Sequence, residues 1–158
     1  MLFIDFTLDK TLAPAIFLLS LLAIIAVIDY KHKIIPNRIL LVGTAVGIAL
    51  NLAVGKSTLA QMFLGLVAGG TVLLVVAVIS KGGIGGGDVK LSAMLGIYLG
   101  WQDTLQTIFL ASVLGALAGF VLMSAGRANR HTAIPFGPFL AISAFVQYLG
   151  QPLLNNWY

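Results

Sequence analysis

The sequence predicts an all-α polytopic membrane protein, a single domain over residues 1–158. The expected fold is a bundle of about six transmembrane helices, the fourth short and preceded by a glycine-rich turn. Three observations carry that expectation. The chain is 59% hydrophobic and only 9% charged, with mean hydropathy +1.05, whereas a soluble domain carries about 25% charged residues. Six apolar runs follow one another, separated by short polar or glycine-rich breaks. The basic residues are concentrated in alternate breaks rather than on one face. The net charge of +4 is therefore no nucleic-acid signal. The absence of cysteine removes disulfides, thiolate metal sites and a cysteine nucleophile.

Met1 to Thr11 carries Asp5, Asp9 and Lys10 but no basic n-region or small-residue cleavage site. The first apolar run is expected to stay as an anchor. The helices are expected at 12–29, 37–54, 58–80, 88–101, 104–125 and 134–154. A spanning helix needs about 20 apolar residues, and most of the six qualify. The fourth does not. Val89 to Gly100 rises only about 18 Å against a hydrocarbon core of about 30 Å. With Trp101 as an anchor at one interface, Asp88 falls inside the membrane thickness, in a water-filled notch.

Lys31, Lys33, Arg38, Lys81, Lys90, Arg127 and Arg130 fall on one side of a six-helix bundle, and only Lys10 and Lys56 on the other. The positive-inside rule makes the richer side cytoplasmic and puts both termini outside. Asp29 and Asp88 then share the cytoplasmic side. Gly43/Gly47, Gly65/Gly69, Gly96/Gly100 and Gly115/Gly119 are Gly-x-x-x-Gly pairs, the spacing that lets membrane helices approach closely.

Several motifs fail on inspection. Gly55-Lys56-Ser57-Thr58 resembles the end of a P-loop, but Leu50 stands where the first glycine belongs. No dinucleotide glycine frame fits after Val72 to Ser80, because the third glycine position counted from Gly83 is Asp88. His32 and His131 are isolated from any metal-ligand spacing. Ser20, Ser80, Ser92 and Ser112 have no histidine base in their segments, and such serines commonly bond back to their own helix.

What remains is a pair of acids. There are only five in the chain, and an intramembrane acid is a candidate functional group. Asp88 ends the turn Gly82-Gly83-Ile84-Gly85-Gly86-Gly87, and irregular backbone at that depth must be buried in protein or line a wet cavity. Paired aspartates suit peptide hydrolysis, one ionised to activate water and one protonated to donate to the carbonyl and leaving amine. At close range they share a proton. Helix polarity favours Asp88, at a helix start, as base and Asp29, at a helix end, as acid. Nearby Lys31 and Lys33 act the other way, and a coupled pair titrates as a unit. Structural roles compete with this reading: a helix end at the water line for Asp29, an N-cap for Asp88.

Gly85-Gly86-Gly87-Asp88-Val89-Lys90 fits the Gly-x-Gly-Asp signature of intramembrane aspartic proteases. Asp29 through Ile35-Pro36-Asn37 resembles the first aspartate motif of the prepilin peptidases (type IV leader peptidases). Ile134-Pro135-Phe136-Gly137-Pro138-Phe139-Leu140-Ala141 resembles that family's last-helix signature, and Gly100-Trp101-Gln102 also has a counterpart. The match runs through residues 25 to 150 in the family's order. The resemblance implies a bacterial inner-membrane enzyme that cuts the basic leader from type IV prepilins or the pseudopilins of type II secretion. Cleavage falls on the cytoplasmic side, just before the substrate's hydrophobic helix. The catalytic pair maps onto Asp29 and Asp88. Gly85, Gly86, Gly87, Lys90, Pro36 and Asn37 become candidate substrate-binding residues, and no metal or organic cofactor is implied. Larger members carry a cytoplasmic region with cysteine pairs associated with N-methylation. Its absence from these residues leaves methyltransferase activity unassigned.

The expected partners are thus a prepilin or pseudopilin and the lipid bilayer, with no nucleic acid. A basic leader followed by an apolar helix holds its scissile bond at the depth of the two aspartates. Cleavage needs an unwound segment, for which the glycine turn can supply edge-like backbone. Two other classes compete: a proton-coupled transporter subunit, and a non-catalytic assembly protein that keeps the fold. No internal repeat with a second broken helix supports the transporter.

Overall fold

The computed structural model describes residues 4–55, 57–80, 83–127 and 134–154, with side chains from residue 13 to 148 within those ranges and at 150. Lys56, Lys81, Gly82, Arg130 and His131 lie outside the described residues. Among the described residues all regular structure is helical. The elements are α1 Ile4–His32, α2 Asn37–Val54, α3 Leu59–Ile79, α4 Gly86–Leu99, α5 Trp101–Ser124 and α6 Gly137–Leu154. Within α1 the stretch Ala13–His32 is long and apolar enough to cross a membrane, as are α2, α3 and α5. The protein is a multi-pass membrane protein.

The helix boundaries follow from local chemistry. Pro36 caps α2 with extended backbone, a conformation its ring pre-sets. Gly55 ends α2 in the left-handed region at φ 70°. A capping box opens α3: Gln61 N–H donates to Thr58 Oγ1 at 3.3 Å, and Thr58 N–H donates to Gln61 Oε1 at 2.9 Å.

Several expected boundaries shift, among them the end of α1, at His32 rather than residue 29, and the start of α4, at Gly86 rather than residue 88. α1 begins at Ile4 rather than residue 12, because Asp5, Asp9 and Lys10 lower hydropathy without breaking a helix. Trp101 opens α5 instead of closing α4, since Gly100 at φ 81° turns the chain between them. α6 begins at Gly137, not 134, because the residue before Pro135 is held out of the α region.

α4 stands at the centre. With 14 residues it is about 21 Å long, too short to cross, as its sequence predicts. Leu91, Met94, Leu95, Ile97, Tyr98 and Leu99 are all buried. Around it α1, α2, α3, α5 and α6 form a ring in which neighbours touch in the order α1–α2–α3–α5–α6–α1, and the α2–α3 seam is much the thinnest. The outer faces carry Ile24, Leu41, Phe63, Val78, Phe109 and Phe120, all exposed, as a lipid-facing surface requires.

The glycine pairs divide by use. A Cβ on Gly65 would collide with the Gly96 carbonyl, and one on Gly69 with that of Ser92, so α3 and α4 meet backbone to backbone. Ser92 Oγ seals this contact by donating to Gly69 O at 3.1 Å. Gly43 and Gly47 instead admit large side chains: Met94 and the Tyr98 ring fill their places, and Tyr98 Oη donates to Gly43 O at 2.6 Å. Gly100 and Gly115/Gly119 do not mark close approaches of backbone; nothing lies within 4 Å of a Cβ at Gly100.

Candidate active site

Asp29 lies in the last turn of α1, and Asp88 is the third residue of α4, so the up-and-down path brings both to one end of the bundle. They are 5% and 7% exposed, and near enough for the charge of one to act on the other. The connection from α1 to α2 locks onto the glycine turn through Ile35, buried and in the space a Cβ on Gly87 would enter at 3.0 Å. The first-aspartate segment and the Gly-x-Gly-Asp segment are thus one packed unit.

Asp88 is not the N-cap. Gly85 holds that place, and the Asp88 carboxylate turns back toward the Gly85 backbone N–H, as the third residue of a capping box does. That engages one side of the carboxylate. Asp88 Oδ1 is buried and has no hydrogen-bond partner among the described residues. A buried oxygen without a partner costs about 1–3 kcal/mol.

Asp29 is held from across the molecule. The backbone N–H of Gly137 donates to Asp29 Oδ2 at 3.0 Å. The first turn of α6 leaves that donor available: Pro138 has no N–H, and Phe139 and Leu140 both donate to Phe136 O. A Cβ at residue 137 would stand 2.6 Å from Asp29 Oδ2, which restricts the position to glycine. The expected polarity contrast is corrected by this contact. Asp29 does end α1, but it also faces the start of α6, so both carboxylates stand at positive helix ends. The sequence reading gave Gly137 no role. The signal was present in Pro135-Phe136-Gly137-Pro138, where the N–H groups of Phe136 and Gly137 stand between two prolines near a helix start.

The other candidate residues separate. Pro36 caps α2, and Gly86 has open space around it. Lys90 Nζ donates to Asn37 Oδ1 at 2.9 Å. Two residues past Asp88 is about 200° around a helix, so the Lys90–Asn37 pair lies on the face of α4 away from the aspartates. Gly100-Trp101-Gln102 lies at the opposite end of the bundle. It lines a cavity of about 210 Å³ with Ser57, Gln61 and Asp103.

The model of the type IV leader peptidase family matches residues 16–120. The chain belongs to the type IV leader peptidase family. Among its relatives is a protein of Bacillus subtilis, 36% identical over 155 residues that cover 98% of this chain and 62% of the relative. A Pseudomonas putida relative is 38% identical over 82% of this chain and 46% of its own length. One from Aeromonas hydrophila is 33% identical over 94% and 55%. All three are named prepilin leader peptidase/N-methyltransferase. The chain spans about half to three-fifths of the curated relatives' length. No solved structure matches it. Both aspartate segments fall within the matched residues.

Proposed function

We propose that this membrane aspartic endopeptidase removes the basic leader of type IV prepilins or type II secretion pseudopilins at the cytoplasmic face. The observation that carries the reading is the meeting of Asp29 and Asp88 at one end of the bundle, both buried, with Asp88 Oδ1 lacking a partner among the described residues. One carboxylate, ionised, takes a proton from water as the water oxygen bonds to the scissile carbonyl carbon. The other, protonated, donates to the carbonyl oxygen. Collapse of the tetrahedral intermediate breaks the C–N bond as a proton passes to the leaving amine. The Gly137 N–H fixes Asp29 throughout, and the buried flanks of both acids keep bulk water from competing.

Lys31, Lys33, Arg38, Lys90 and Arg127 lie at the aspartate end, which supports a cytoplasmic site in a bacterial plasma membrane with both termini outside. A basic leader stays on that side while its apolar helix enters the bilayer, so the junction reaches Asp29 and Asp88. The proposed reaction is peptide cleavage by a single peptidase domain, without methyl transfer.

The test uses the purified chain in detergent with a prepilin. Wild type releases the leader, and Asp29→Asn and Asp88→Asn do not. Intact substrate with wild type overturns the reading in favour of a proton-coupled or assembly subunit. The mass of the mature product, read in the presence of a methyl donor, reports whether a methyl group is added.

A further inference from the structure

The thin α2–α3 seam opens a second site on the far side of α4 from the aspartates. There a groove of about 380 Å³ runs between α2 and α3, with α4 as its floor. Leu40, Leu41 and Thr44 of α2 form one wall, Leu66 of α3 the other, and Ala93 and Met94 the base. At its mouth stand Lys90 and Asn37, both exposed.

Three features give the groove a chemical preference. Its body is apolar and opens where the bundle faces lipid. Its rim holds an ammonium whose only partner among the described residues is the neutral Asn37 amide oxygen, at 2.9 Å, so no described carboxylate compensates the charge. The mouth also receives the start of α2, which has neither a side-chain cap nor an acid in its first turn. A helix start in that condition attracts anions. Size decides between occupants. Three turns of a helix about 10 Å across fill more than about 1,000 Å³, so the groove seats only the edge of a transmembrane helix. A basic leader would also be repelled by Lys90.

We propose that the groove binds an anionic phospholipid, its phosphate on Lys90 and the start of α2 and one acyl chain along the α2–α3 seam. Basic pockets between membrane helices on the cytoplasmic side are a recurrent setting for such head groups. The bound lipid closes the one weak joint in the ring.

The test measures thermal unfolding of the purified chain in delipidating detergent, with phosphatidylglycerol or phosphatidylcholine added in mixed micelles. Phosphatidylglycerol raises the wild-type midpoint by about 5 °C, and phosphatidylcholine raises it by much less. Lys90→Gln loses the difference between the two lipids, each variant being read against its own lipid-free midpoint. Thr44→Trp, which fills the groove but keeps the ammonium, loses the shift as well. Equal shifts from both lipids, or an anionic preference that survives Lys90→Gln, overturn the proposal. A shift produced by prepilin and not by lipid, dependent on both residues, assigns the groove to substrate and overturns it too.

Discussion

Two acids at opposite ends of the bundle differ in what surrounds them. Asp103, in the first turn of α5, is half-buried, and Gln147 Nε2 donates to its Oδ1 at 3.2 Å. The same nitrogen also donates to Gln106 Oε1 at 2.8 Å. An amide network spanning α5 and α6 thus ties down that carboxylate. Asp88, in the first turn of α4, is more deeply buried, yet its Oδ1 has no partner among the described residues. Both sit at helix starts, where a carboxylate is favoured, so the dipole does not distinguish them. The difference lies in hydrogen bonding. The Asp103 carboxylate ties α5 to α6, whereas the proposed function gives the unpartnered Asp88 oxygen the task of meeting water or substrate.

The comparison breaks most sharply on the aspartates. Asp29→Asn and Asp88→Asn are each expected to lower prepilin cleavage by about 10³-fold or more, in a single-turnover assay. Gly137→Ala comes next, because its methyl would push against Asp29 Oδ2. A displaced catalytic group costs about 10²-fold, expected in kcat with KM unchanged. A substitution acting through misfolding would instead reduce the amount of folded protein.

Gly96→Ala tests the frame rather than the site. The new methyl meets the Gly65 backbone, and overpacking of this kind destabilises by about 1–3 kcal/mol, read as a lower unfolding midpoint. The smallest effect belongs to the other end: Gln147→Ala should lose about 1 kcal/mol of stability and leave cleavage within about twofold. A large loss of cleavage in that variant would dissolve the distinction between the two acids.

The fold was legible because membrane helices announce themselves by length and hydropathy, and the short α4 stood out as too brief to span. Asp29 and Asp88 were legible because an acid in an apolar run is conspicuous. The boundaries were less so. Ile4 to Leu12 continues a helix that hydropathy stops reading, and Trp101 looked like an anchor ending one helix when a single glycine turn makes it begin the next. Gly137 was hidden for another reason. Its contribution is a backbone N–H, which no side chain advertises, directed at a residue far away in sequence. The Lys90–Asn37 bond was hidden in the same way, since helical phase separates Lys90 from Asp88 while the sequence sets them side by side.

The bond from Gly137 to Asp29 joins residues 108 positions apart, and this sets an order of events during synthesis. At about 5–20 residues per second, Asp29 leaves the ribosome roughly 5 to 20 s before its anchor does. Through that interval the Asp29 carboxylate is without the Gly137 N–H that holds it in the folded protein. In the proposed peptidase, the Asp29 carboxylate is therefore held in place only once α6 has been made and has packed.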